Sequence, residues 1–370
     1  MLGNLRQDLI AQNPPLIVDD GGGGFITGRF DSKYKHEGVV QRSLIVRQML
    51  MLMPTIGYED HMNMESKATI ILGSRGSPLA LVQSRMVQAA LSAAHPEVTV
   101  DLEIITTTGD RVQDRPLSEI GGKGLFTKEI EAAMLGGRID LAVHSAKDME
   151  TQLPDRLGLI ATLQREDPRD VFLSEKSSSF ADLPKGAVVG TTSLRRRAQI
   201  LHRFPNLRTV PIRGNVDTRL TKMRNGEVDA TLLALAGLKR LGRSEQCMAV
   251  LEPEFMLPAA AQGAIGIEAR RDDDRIIGLL GAINHQPTFE VISAERALLA
   301  TLDGSCQTPV GALAEKSSDG RIRLRGLIAD PDGAWLHCVE REGLVAEAIT
   351  MGRDAGVELR GLAGEGFFSD

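Results

Sequence analysis

Three features of this 370-residue chain predict an α/β architecture of two similar lobes followed by a smaller α+β domain. From Lys67 onward, short β-rich runs alternate with amphipathic stretches of helical period. A strand–cap–helix unit, TIILGSRGSPLALVQ, restarts further on as GAVVGTTSLRRRAQ. The C-terminal part reads instead as one helix, three strands and a closing helix.

The elements follow in order. Residues 1–65, with a tetraglycine, irregular charge and several methionines, are expected to be a disordered extension, with Met64 an alternative initiator. ATIILG is a strand, and Ser77 caps a helix that begins at Pro78. Leu79, Val82, Met86 and Ala90 are expected to form its buried stripe. Pro96 matches Pro205, and GGRIDLAVHS matches NGEVDATLLA with Ile139 opposite Val228. Between these matches the first lobe is longer, and the surplus falls on TGDRVQDRPLSEIGGKGLFTK. Its glycines and charges predict a flexible lid over about 108–124. FEVISAERALLATL is a helix; VGALAE, GRIRLRGLIAD and AWLHCVERE are strands, the last two joined by a turn at PDGA. A final helix is expected from about GLVAEAITMG.

Composition narrows the function. A net charge of −6 and 4% aromatic residues argue against nucleic acid, which calls for a basic face and stacking rings. Three scattered cysteines, Cys247, Cys306 and Cys338, make neither a disulfide framework nor a zinc site. No apolar run reaches the length of a membrane span, and no secretory cleavage site follows RSLIVRQMLMLMP. A cytoplasmic protein without metal is expected.

The arginines are placed unevenly. Of Arg75, Arg165, Arg169, Arg195, Arg196, Arg197, Arg213 and Arg219, several fall at strand ends or helix starts, on the rims of the inferred cleft. Free N–H groups and guanidinium forks there suit carboxylates or phosphates. Solvated charge on helix faces is the bland alternative; it suits Arg197 and Arg224 better than Arg213, which lies between Pro211, Ile212 and Gly214. No G-x-G-x-x-G opens a helix and no Walker sequence occurs, which leaves carboxylates favoured over nucleotides. IDLAVHSAKDMETQLP puts His144, Ser145, Lys147 and Asp148 at a strand end where the other lobe has apolar LLALAG. An aspartate after a lysine is commonly a surface ion pair; here the departure from the repeat points to a carboxylate at the cleft mouth, able to hold N–H donors and developing positive charge.

GSRGSPLALVQ, GGKGLF, HSAKD, REDPRD, GTTSLRRRAQ, RGNVDTRL, AGLKRL, PAAAQGAIGIE and GSCQTPVG, in that order, resemble the motifs of the porphobilinogen deaminase family, from about Lys67 to the C-terminus. The resemblance implies two lobes similar to type II periplasmic binding proteins with a cleft between them, and a small α+β C-terminal domain. Its domains would be 66–163 with about 262–283, 164–261, and 284–370. It implies hydroxymethylbilane synthase activity, in which four porphobilinogens join head to tail with loss of ammonia and water releases the linear product. The primer is a dipyrromethane held by a thioether to the cysteine matching Cys306, with no metal.

By the same resemblance Asp148 is the catalytic carboxylate. Lys147, Thr191, Ser193, Arg195, Arg196 and Arg219 bind the cofactor; Arg75, Ser77, Gln83, Arg165, Arg213 and Arg240 bind substrate; Lys123 and Phe126 belong to the lid. A monomer that passes its product to a uroporphyrinogen III synthase is the family expectation. Met149, Glu150 and Ala261 depart from the family pattern. Two other readings stay open: a two-lobed carboxylate binder without catalysis, and a cysteine hydrolase using Cys306 and His144, for which no helix start follows the thiol to activate it.

Overall fold

The computed structural model describes residues 68–111, 124–246, 249–303, 308–364 and 367. The N-terminal extension with Met64, and Lys123, Cys247 and Cys306, lie outside them. The first lobe begins with β1 (Ala68–Ser74), α1 (Pro78–Ala94), β2 (Val98–Ile104), α2 (Thr108–Arg111), α3 (Lys128–Leu135), β3 (Leu141–Ser145) and β4 (Leu157–Thr162). There follow β5 (Asp170–Ser174), β6 (Val188–Gly190), α4 (Leu194–Arg203), β7 (Arg208–Val210), α5 (Val216–Arg224), β8 (Ala230–Ala234), α6 (Leu235–Arg240) and β9 (Ala249–Leu251). The chain ends with β10 (Ile265–Arg270), α7 (Asp274–Gly281), α8 (Gln286–Thr301), β11 (Val310–Lys316), β12 (Arg321–Ala329), β13 (Leu336–Leu344) and α9 (Ala348–Ala363).

These strands form three sheets among the described residues, ordered β2-β1-β3-β10-β4, β7-β6-β8-β5-β9 and β11-β12-β13. The first two share one plan. In each, the earliest strand of the repeat pairs in parallel with the next two, and one strand arrives from across the molecule to pair antiparallel on both sides. That strand is β10 in the first sheet and β5 in the second, so the chain crosses between the lobes in both directions. This is the α/β, two-lobed arrangement expected, with a three-stranded antiparallel sheet, α8 and α9 forming the smaller α+β part.

The internal repeat is visible at single residues. Asp140 Oδ2 accepts from Ile71 N at 2.8 Å, and its counterpart Asp229 Oδ2 accepts from Val188 N at 2.7 Å. Each aspartate pins the start of its own third strand to the first, which explains why the acid recurs ahead of both LAV and ATLLA.

Helix α1 begins as expected: Ser77 Oγ accepts from Ala80 N, and Pro78 occupies the first turn. Its buried stripe, however, is Ala80, Gln83, Ser84, Val87 and Leu91, whereas Met86 is 42% exposed. The expected Leu79–Val82–Met86–Ala90 stripe is one residue out of phase. The inward face includes two polar residues satisfied in the interior: Ser84 Oγ donates to Ser74 Oγ at 2.7 Å, and Gln83 bonds Ser145. A hydrophobicity count passes over such a face. Strand β13 also runs through Leu344, so α9 starts at Ala348, later than expected.

Candidate functional site

Strand β3 is buried until Ser145 and then turns into a 3₁₀ turn, Ala146–Asp148. Ala146 anchors the turn by donating from its N–H to Ala264 O at 3.1 Å, next to β10. Arg296 of α8 reaches the turn from the other side, donating to the carbonyls of Ala146 (3.4 Å), Met149 (3.5 Å) and Glu150 (2.7 Å). Beneath the turn, His144 Nε2 stands 3.0 Å from Glu268 Oε2, both groups buried. Asp148 is thus carried on backbone fixed from both sides, and is itself half-buried.

On the second sheet, Thr191 Oγ1 accepts from Ser193 N at 3.1 Å, and Ser193 caps α4 through a contact from Arg196 N. The first turn of α4 points Arg195 and Arg196 into the interior, where Asp170, at the head of β5, is 0% exposed. Arg195 Nη2 donates to Asp170 Oδ2 at 2.8 Å and Arg196 Nη2 to Oδ1 at 2.7 Å. Their Nη1 atoms donate to Leu257 O and Leu232 O. Burial alone would raise the Asp170 carboxyl, but the two guanidiniums outweigh it and hold it well below the usual carboxylate range.

The two sheets' charges share one field. Burial pushes the Lys147 ammonium down while Asp148 beside it pulls the other way, and Arg196 and Arg195 add repulsion. Arg219 is pushed down to about 10, by burial first and then by Arg196, with Asp148 opposing and Arg213 adding to the repulsion. Lys147, Asp148, Arg195, Arg196, Arg213 and Arg219 therefore form one electrostatic neighbourhood, drawn from the turn after β3, from α4, from α5 and from the loop before α5. The Nε atoms of Arg195 and Arg196 are buried without a hydrogen-bond partner among the described residues. A cluster of cations around one carboxylate, with donors still unfilled, suits a ligand bearing several carboxylates.

Other expected site residues have separate engagements. Arg75 pairs with Asp110 at 2.5 Å and lies over the Phe126 ring at 4.0 Å. Gly109 N donates to Leu125 O, and Thr108 donates to Glu129, so the two sides of segment 112–123 are tied together. The lid expected there falls largely outside the described residues; at its start, 108–111 is a helical turn. Gln83 is buried against Ser145 at 2.9 Å. Arg165 is committed to Glu295 through two bonds of 2.7 and 3.1 Å and to Gln262 O at 2.9 Å. Arg240 Nη2 donates to Gly263 O at 2.7 Å. Glu150, one of the departures from the family pattern, accepts from Gly124 N at 2.8 Å.

Sequence reasoning passed over Asp170, Gln262 and Arg296. Asp170 closes the quoted REDPRD, and its signal was an acid opening the apolar run DVFLS. Gln262 lies in PAAAQGAIGIE, where a lone polar residue interrupts small apolar ones.

Comparison with known proteins places the chain in a family. Residues 70–278 match the family model described as porphobilinogen deaminase, dipyromethane cofactor binding domain, and residues 289–361 match porphobilinogen deaminase, C-terminal domain. The chain is 50% identical over 311 residues to the chloroplastic porphobilinogen deaminase of Oryza sativa subsp. japonica, covering 82% of this chain and 87% of that one. It is 53% identical over 308 residues to the porphobilinogen deaminase of Nitrobacter winogradskyi, covering 82% and 97%. Among solved structures, the methionine-binding protein MetQ resembles it at a TM-score of 0.40 and 13% identity, over 60% of this chain and 92% of that one, too loosely to add to what the sheets themselves display. With both of the family's domain models matched in order and half of the aligned residues shared with its members, this chain belongs to the porphobilinogen deaminase family.

Proposed function

We propose that this protein is a hydroxymethylbilane synthase, joining four porphobilinogens head to tail on a dipyrromethane primer and releasing the linear tetrapyrrole by hydrolysis. The observation that carries the reading is a carboxylate, Asp148, facing Lys147 and Arg219, which in turn feel Arg196 and Arg213, in a protein of net negative charge. Each porphobilinogen ring bears an acetate and a propionate, so a growing chain presents an increasing number of carboxylates to such a cluster. The family description names the dipyromethane cofactor, and the unfilled donors of Arg195 and Arg196 fit a group of this charge.

In this reading Arg195, Arg196, Arg219 and Lys147 bind the primer's carboxylates, with Thr191 and Ser193 shaping the helix start that presents them. When bound, the primer supplies the nucleophilic pyrrole carbon. Asp148 holds the substrate's pyrrole N–H and stabilises the cation formed as the aminomethyl C–N bond breaks and ammonia leaves. After the new C–C bond forms, the same carboxylate accepts the α-proton. Arg75, Ser77, Gln83, Arg165, Arg213 and Arg240 are assigned to substrate or to the surfaces that support it, and Lys123 and Phe126 to the lid. Cys306 is the attachment point; it reacts once and thereafter serves as a tether.

We divide the chain into 66–163 with about 262–283, 164–261 and 284–370, a reading supported by the membership of the three sheets. We place the protein in the cytoplasm as a monomer whose product passes to a uroporphyrinogen III synthase; scattered cysteines call for no oxidising compartment.

Intact mass of the full chain made in cells that supply porphobilinogen tests this. The expected mass exceeds the sequence by one dipyrromethane, with a positive Ehrlich reaction, and Cys306→Ser abolishes both. A bare mass that binds porphobilinogen without consuming it would point to a carboxylate binder instead.

A further inference from the structure

Gln262 lies in the segment that returns the chain to the first lobe, between two residues with left-handed backbone: Ala261 at φ 59° and Gly263 at φ 90°. A Cβ on Gly263 would stand 2.3 Å from Glu166 O, so the returning segment is pressed against the outgoing one and only glycine fits there. The bend sends the Gln262 side chain inward, where it is 1% exposed.

Every polar atom of that side chain is used. Nε2 donates to Pro168 O at 2.6 Å and to Asp170 Oδ1 at 2.9 Å, while Oε1 accepts from Lys147 Nζ at 3.3 Å. The orientation is fixed by its partners, since the donor end faces two acceptors and the acceptor end faces an ammonium. Asp170 in turn holds Arg195 and Arg196. One amide therefore links the turn that carries Asp148 to the arginine pair of the other sheet.

We propose that Gln262 is a positioning residue that fixes Lys147 relative to the Asp170–Arg195–Arg196 cluster, so that cations from both lobes grip one anionic primer as a unit. This rests on the cofactor reading above. A hydrocarbon side chain would remove one of the groups that position Lys147 and leave Pro168 O and Asp170 each short of a donor. A glutamate would keep an acceptor for Lys147 but oppose Asp170 with like charge, except when protonated.

The test is a double-mutant cycle on the full chain, purified from cells unable to make porphobilinogen, with Gln262→Met, Lys147→Met and the pair. The rate at which porphobilinogen adds the dipyrromethane mass is followed, and kcat and KM are measured separately. Each single change is expected to slow loading by roughly 10- to 100-fold, and the pair to be no slower than the worse single change. Losses that multiply would overturn the proposal, because residues acting independently are additive. Gln262→Glu gives a second readout that survives poor folding of the methionine variant: its loading rate relative to the native chain is expected to recover as pH falls and the new carboxyl regains a proton to donate. A ratio flat with pH would count against the role. If the native chain never gains the mass, the cofactor reading itself fails; if it loads normally and the cycle is additive, only the role of Gln262 is lost.

Discussion

Asp170 and Asp148 are both carboxylates among arginines, and their settings separate their roles. Asp170 has no exposed surface and accepts three bonds, from Arg195, Arg196 and Gln262; it organises the cluster. Asp170→Asn would leave two buried guanidiniums short of a counter-charge, at a cost of about 3–5 kcal/mol, measurable by urea denaturation. Because its folded pKa is depressed, the stabilisation it provides is present above its unfolded value and is lost as pH falls from about 4 towards the folded one. The variant should therefore lack that part of the native acid transition, and unchanged acid sensitivity would argue against the assignment. Asp148 is half-buried and held by its backbone. Asp148→Asn should keep its melting temperature and lose roughly 100-fold or more in turnover; activity close to native would remove it from the chemistry. At this scale, sequence reasoning reached the residues whose charge is unusual for their place, Asp148 and the arginines after the caps. It missed the residues that satisfy them from a distance in sequence: Asp170 bonds side chains of residues 195, 196 and 262, and no local pattern reports such a contact.

Between residues and the whole lie the helices and crossing segments. Caps and strands were readable because their rules are local: Ser77 and Pro78 start α1, and Ser193 starts α4. The inward face of α1 was misread because Gln83 and Ser84 find partners only once β1 and β3 are in place. The returning segment holds a different kind of departure. Ala261 occupies a backbone conformation that favours glycine, with its N–H donating to Glu295 Oε2 at 2.6 Å. Ala261→Gly should relieve about 1–2 kcal/mol of strain against about 0.5–1 kcal/mol of added chain entropy. The expected net is a small gain in stability, seen as a higher urea midpoint; a lower midpoint would mean that the alanine methyl contributes packing that outweighs its strain.

Across the whole molecule, two consecutive residues of α8 tie the third sheet to the crossing segments and to the turn after β3. Glu295, 0% exposed, accepts from Arg165 twice, from Ala261 N and from Ala314 N. Arg296 holds the turn that bears Asp148. Glu295→Gln should cost about 3–5 kcal/mol by stranding the largely buried Arg165 and should split calorimetric melting, with the third sheet leaving first; a single transition at the native temperature would show that this carboxylate is not the connection. The global plan was legible from the restart of one strand–cap–helix unit, since a repeat in sequence becomes a repeat in sheet order. What joins the copies was not, because the joining side chains follow no period.

The place of β10 in the first sheet has a consequence for how the protein is made. β3 and β4 are not neighbours; each pairs with β10, which lies about a hundred residues downstream of β4. At translation rates of about 5–20 residues per second, the ribosome needs on the order of 5–20 s to supply it. Until then a nascent first lobe presents two open strand edges, the kind of surface that pairs with the wrong neighbour. Completion of this lobe is therefore tied to synthesis of the second, and a chain stopped before Ile265 would be a client for chaperones or proteases rather than a half-sized working fragment.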